Sequence, residues 1–136
     1  MNRGYQKYKS ANVESASREK LLLLLYEGAI KHIKKSMLAV EANNIAERGT
    51  NIGRAYDIIM ELNNTLNHEV GGEIAKNLEQ LYMFITEQLT QANIDGSKEP
   101  LENALKVTTT LYEGWKIAIE DLKKKDNSAL KELKIG

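Results

Sequence analysis

The chain has 136 residues, with 19 lysines and arginines balancing 19 aspartates and glutamates. That length implies one domain, and the even charge balance leaves no electrostatic footprint for nucleic acid or a membrane surface. There is no cysteine, which excludes a disulfide framework and thiolate chemistry. The run of leucines at 21–25 is far too short for a membrane span or a signal region, so membrane insertion is not expected and a cytoplasmic protein is the default. One proline, and six tyrosines against one phenylalanine, point to long helices with amphipathic aromatic faces.

Residues 1–16 read as a polar, flexible arm whose sizeable apolar groups are Tyr5, Tyr8 and Val13. The next stretch, Leu21–Ile30, reads LLLLLYEGAI. An amphipathic helix carries one apolar stripe and a polar back, but consecutive leucines at about 100° each travel right round the cylinder. This part of the helix therefore needs cover on more than one side, and the arm, through Tyr5 and Tyr8, is one candidate cover. A partner's hydrophobic segment is the other. Ser17 reads as the N-cap of the first helix, which runs to Asn43 with Leu22, Tyr26, Ala29, Ile33 and Val40 inward.

The second helix spans Ile45–Asn67. Ile45, Ile52, Ile59 and Leu66 recur every seven residues, a heptad-like seam, and Gly49 and Gly53 offer a place for close backbone approach. Gly71-Gly72 punctuates the chain. The third helix spans Glu73–Asn93, with Ile74, Leu78, Leu81, Ile85, Leu89 and Ala92 inward. Asp95-Gly96-Ser97 makes a turn, and Pro100 suits the first turn of a fourth helix over Glu99–Lys125. Its inward positions are Leu101, Leu105, Thr108, Leu111 or Tyr112, Trp115, Ile119 and Leu122. Residues 126–136 form a tail or one further short helix. Short links make sequential helices antiparallel, so the expected fold is all-α: an up-down-up-down four-helix bundle over residues 17–125.

Catalytic signatures are missing. A carboxylate-bridged metal pair needs Glu-x-x-His on two helices, and neither His32 nor His68 has a glutamate three residues before it. No cofactor or metal is expected, and Gly71-Gly72 lacks the Lys-Ser or Lys-Thr of a phosphate loop. His32, followed by Lys35 and Ser36, partly matches a histidine-phosphotransfer bundle, and that alternative stays open beside a solvated histidine. What stands out is surplus apolar surface. Val107, Thr110, Gly114 and Ile117 form a second stripe on the fourth helix, and Tyr56 and Ile58 flank the seam of the second. Small residues (Gly53, Gly114) beside aromatics (Tyr56, Trp115) shape a groove, for a helical partner or for a second copy in a structural homo-oligomer.

Across nearly its whole length the chain resembles the flagellar secretion chaperones of the FliS family. The resemblance is carried by Tyr5 and Val13 on the arm, Leu25-Tyr26-Glu27-Gly28-Ala29-Ile30, and Ile58-Ile59-Met60-Glu61-Leu62. It continues through Thr65-Leu66-Asn67, Gly71-Gly72-Glu73-Ile74-Ala75-Lys76-Asn77-Leu78, Leu81-Tyr82 and Trp115-Lys116. Arg18, Tyr56 and Gly114 stand where the family more often has other residues. The resemblance implies a non-enzymatic cytoplasmic chaperone that binds the C-terminal helical segment of flagellin, prevents premature polymerisation and delivers it to the flagellar type III export gate. Ile52, Gly53, Tyr56, Ile59, Val107, Thr110, Gly114 and Ile117 would then line client grooves. Tyr5 and Tyr8 would form a displaceable lid over Leu21, Leu22, Leu25 and Tyr26. Monomer and homodimer both remain open.

Overall fold

The computed structural model describes the backbone of residues 3–135 and the side chains of residues 15–128. It contains four helices, α1 (Arg3–Glu41), α2 (Ile45–Asn64), α3 (His68–Asp95) and α4 (Glu99–Ile135). α1 packs on α2 and α4, and α3 packs on the same two, so the helices stand in chain order round a square with α1/α3 and α2/α4 on its diagonals. This is the antiparallel up-down-up-down bundle expected from the short links.

Each link is set by local chemistry. Asn43 takes φ 55° at the end of α1, a left-handed position that asparagine tolerates. Asn44 then caps α2, its side chain accepting from the Glu47 N–H at 3.1 Å. Asn67 caps α3 by accepting from both Glu69 and Val70 at 3.1 Å. Gly96, at φ 64°, closes α3 by donating to the Ala92 carbonyl.

The core is built from Tyr26, Ala29 and Ile33 of α1, Ile52, Ala55, Ile59 and Leu62 of α2, Tyr82, Ile85, Leu89 and Ala92 of α3, and Leu101 and Ala104 of α4. The alanines let the helices close up. Gly28 does the same between α1 and α2, since a Cβ there would lie 3.3 Å from Ile58 Cδ1. The buried hydroxyls of Ser36 and Thr108 donate back to carbonyls of their own helices at 2.8 and 2.7 Å, which leaves them satisfied in an apolar setting.

Several boundaries and faces differ from the sequence expectation. α1 starts at Arg3 rather than at a Ser17 cap, because residues 5–20 contain neither glycine nor proline and hold many good helix formers. For the same reason α4 runs through Asp126-Asn127 to Ile135 instead of breaking there. α2 ends at Asn64, and α3 starts at Asn67's cap with a separate first turn, set off by a kink at Gly72. Ile45, Ile74 and Leu122, expected inward, are exposed, as Leu81 is in part. On α3 the core stripe is shifted by one residue, to Ala75 and Tyr82 rather than Ile74 and Leu81.

Candidate functional site: an apolar groove at the open end of the bundle

The leucine stretch borders a groove of about 520 Å³. α1 contributes Leu21, Leu22 and Leu25, with Arg18 and Glu19 at the rim. The α2–α3 link contributes Thr65, Leu66 and Asn67, and α3 contributes Val70, Gly71, Ile74, Ala75, Leu78 and Tyr82. Trp115 of α4 completes it. The lining is almost wholly apolar, and the groove lies where α2 ends while α1 and α4, at 39 and 37 residues against 20 for α2, continue past it.

The α3 wall is shaped by glycine. Gly72 has φ 50° and ψ −123°, a backbone region essentially reserved for glycine, and it sets the turn His68–Gly71 apart from the rest of α3. That turn carries Val70, which is 85% exposed. His68 Nε2 reaches Glu79 Oε2 at 2.9 Å, tying the turn back onto the body of the helix.

Beneath the groove lies a hydrogen-bond chain joining three helices. Trp115 Nε1 donates to the Tyr26 hydroxyl at 3.1 Å, and the Tyr26 and Tyr82 hydroxyls are 2.6 Å apart. Tyr26 is fully buried and Tyr82 nearly so. Burial pushes both phenols above their usual range, so both are neutral at physiological pH. On the outside, Tyr112 packs its ring near Tyr26 and donates to Glu27 at 2.7 Å; that hydrogen bond raises its pKa too.

The proposed lid site thus comes together in part. Leu21, Leu22 and Leu25 line the groove, whereas Tyr26 lies behind it in the core. Leu24 points elsewhere and is half exposed, as five leucines circling one helix require. The backbone at Tyr5 and Tyr8 continues α1, about 24 and 20 Å along the axis from Leu21 at ~1.5 Å per residue, and does not turn back over the leucines. Their side chains lie outside the described residues.

The residues expected in client grooves fall in different parts of the bundle. Ile52 and Ile59 are 4% and 0% exposed; they are core residues and line no open surface. Gly53 is exposed on α2 and Tyr56 borders a second groove with Thr86, Glu87, Thr90 and Gln91 of α3, while Val107, Thr110, Gly114 and Ile117 belong to α4, diagonally across the bundle from α2. Nothing lies within 4 Å of a Cβ built at Gly53 or Gly114, so both face open space. The α4 set instead runs beside α3. Asn103 donates to Gln88 at 3.1 Å, which fixes the antiparallel register and brings Leu81 level with Thr110. By seven-residue spacing Ile74, Leu81 and Gln88 share one side of α3. The apolar surface therefore leaves the groove at Ile74 and continues along the α3–α4 seam to the Gln88–Asn103 bond.

His32, the candidate phosphoacceptor, bonds through one ring nitrogen to α2. Asn51 donates its amide to the Glu47 carbonyl at 2.9 Å, so its oxygen accepts from His32 Nδ1 at 3.0 Å. The histidine is a half-buried clasp between α1 and α2. Among the described residues no group of three or more histidine, aspartate or glutamate side chains could hold a metal ion, and no helix is long and apolar enough to cross a membrane.

The family model for the flagellar protein FliS matches residues 1–122. The chain belongs to the FliS family. The flagellar secretion chaperone FliS of Vibrio cholerae is 36% identical, the match covering 85% of this chain and 88% of that protein. FliS of Bacillus subtilis is 31% identical over 88% and 89% of the two chains, and FliS of Campylobacter jejuni 31% over 85% and 90%. A solved structure described as a flagellar chaperone from bacteria superposes with a TM-score of 0.76 at 18% identity, covering 88% of this chain and 97% of the other, which shows the shared fold. FliS proteins are chaperones rather than enzymes, and this chain is a flagellar export chaperone.

Sequence reasoning missed Val70, Ile74, Leu78 and Tyr82 as groove residues. Leu78 and Tyr82 had a signal, since they stand four apart on α3. Val70 had none, because its exposure depends on the Gly72 kink.

Proposed function

We propose that the protein binds the C-terminal helical segment of flagellin before assembly, keeps it from polymerising in the cytoplasm, and brings it to the export gate of the flagellar type III apparatus. The observation that carries this reading is the open apolar groove, together with its continuation along the α3–α4 seam, in a chain of the FliS family. An amphipathic segment that is disordered when free gains a helix and buries its apolar face by lying in such a track. Ordering it costs about 2–5 kcal/mol or more, offset by the area buried. Release then depends on competition at the export gate, with no nucleotide involved. Tyr5 and Tyr8 would act as a lid only if α1 unwound around Ser15–Ser17, so in this reading the lid and the long helix are alternative states of one segment.

The test is binding of whole flagellin against flagellin lacking its C-terminal helical segment, followed by titration calorimetry and light scattering. The expected result is a complex with the whole subunit and none with the truncated one. Equal binding of both would remove the reading. A stable homodimer indifferent to flagellin would assign the apolar track to self-association.

A further inference from the structure

The turn at the start of α3 carries its own hydrogen bonds. Glu69 and Val70 donate their N–H groups to the Asn67 side chain at 3.1 Å, and Gly71 donates to the Asn67 carbonyl at 2.8 Å. Residues 67–71 are therefore a unit whose bonds survive if it moves as one piece. Both of its ends are marked. On one side Leu66 packs against the core and donates to the Asn63 carbonyl at 3.2 Å. On the other, Gly72 leaves helical geometry at φ 50° and ψ −123°, a conformation that glycine enters and leaves without a steric barrier from a side chain. A Cβ at Gly71 would lie 2.8 Å from the Ala75 Cβ, so the turn lies close on α3 because that position has no side chain.

Among the described residues, one side-chain bond ties this turn to the body of α3, from His68 Nε2 to Glu79 Oε2 at 2.9 Å. Both side chains are about half exposed, at 50% and 47%, and a pair in that setting holds weakly. Apolar packing adds little, since Val70 is 85% exposed although it borders an apolar groove. An apolar segment seated in the groove changes that balance, because Val70 then has a surface to bury against. We propose that residues 67–71 form a flap over the groove, hinged at Gly72 and latched open by His68–Glu79, which closes on an apolar occupant through Val70. The latch opposes closure, so breaking it tightens binding in the groove. A pair that merely propped up the groove wall would have the opposite effect. The flap follows from the geometry of this turn and does not rest on the flagellin reading.

The chain has no cysteine, so spin labels on Lys20→Cys and Val70→Cys report a single distance between the α1 side of the groove and the flap. The probe is N-phenyl-1-naphthylamine, a neutral apolar dye that brightens out of water. With Glu79 in place, the distance distribution should be narrow in the empty protein and move to shorter distance when the dye binds. Adding Glu79→Ala should broaden the distribution of the empty protein and leave the dye-bound distance unchanged. In the unlabelled chain, Glu79→Ala and His68→Ala should each bind the dye roughly two- to fivefold more tightly than the native protein. A distance that the dye does not shorten would remove the closure. A distribution as narrow in Glu79→Ala as in the native protein would remove the latch, and weaker dye binding in both variants would make the pair a prop of the wall. Failure of the dye to bind would remove the apolar seat and the flap with it. The full dye response without a flagellin complex would sink the flagellin reading and leave the flap standing.

Discussion

The hydroxyl of Tyr26 on α1 lies 2.6 Å from that of Tyr82 on α3, joining two helices that stand on a diagonal of the bundle. Removing the Tyr26 hydroxyl leaves the Trp115 N–H without an acceptor. Tyr26→Phe should therefore destabilise the fold by about 1–3 kcal/mol, read as a lower urea midpoint with an unchanged slope. Tyr112→Phe, whose hydroxyl bonds an exposed glutamate, should stay within about 0.5 kcal/mol of the native protein.

The same pair makes the fold sensitive to alkali. Both phenols are held above the usual value of 10.0, so the folded state keeps protons that the unfolded chain gives up. Their contribution is fully present below pH 10 and is lost as pH rises above it. Stability should be flat from neutrality to about pH 9, then fall by up to ~1.4 kcal/mol per pH unit for each tyrosine. Tyr26→Phe should show a shallower alkaline slope. A slope identical to that of the native protein would mean that Tyr26 ionises freely in the folded state.

Gly72 is the position where backbone geometry shapes the groove wall. Its φ of 50° and ψ of −123° exclude a side chain without strain, so Gly72→Ala should cost on the order of 1–3 kcal/mol and rebuild the turn that carries Val70. Hydrogen exchange should locate the change at residues 68–75, with the amides of α2 unaffected.

Gly114 and Ile59 separate surface from core. Because nothing lies within 4 Å of a Cβ at Gly114, Gly114→Leu should leave melting unchanged or slightly raised, a glycine in a helix costing about 1 kcal/mol against better formers. It should weaken flagellin binding by blocking the α3–α4 seam one turn from Leu81. Ile59→Ala, at a fully buried site, should cost about 2–5 kcal/mol and affect binding through loss of folded protein.

The bundle was legible because helix-period stripes separated by Asn-Asn, Gly-Gly and Asp-Gly signals leave few alternatives. The leucine belt was legible as a surface in need of cover, since five adjacent leucines cannot all face one core. Other features depend on tertiary placement. Ile52 and Ile59 have the spacing of groove residues and of core residues alike, and only the packing of α2 against both neighbours decides between them. Tyr82 is hard to read from sequence because bulky Ile74 and Leu81 suggest an inward face of α3 more strongly than Ala75 and Tyr82 do. Which helices border each client groove was not legible, because neighbour relations such as the α2–α4 diagonal are encoded in no single-helix pattern.

The most direct test of the central claim, that the groove seats the flagellin segment, is the affinity of the native protein and of a Val70→Asp/Ile74→Asp variant for the C-terminal flagellin peptide. Both side chains line the groove and are exposed, at 85% and 69%, so the variant should unfold within about 1 kcal/mol of the native protein. Two carboxylates facing an apolar helix should weaken binding by at least tenfold, with the loss mainly in the dissociation rate. Undiminished affinity in a folded variant would place the flagellin segment elsewhere on the bundle and contradict the account.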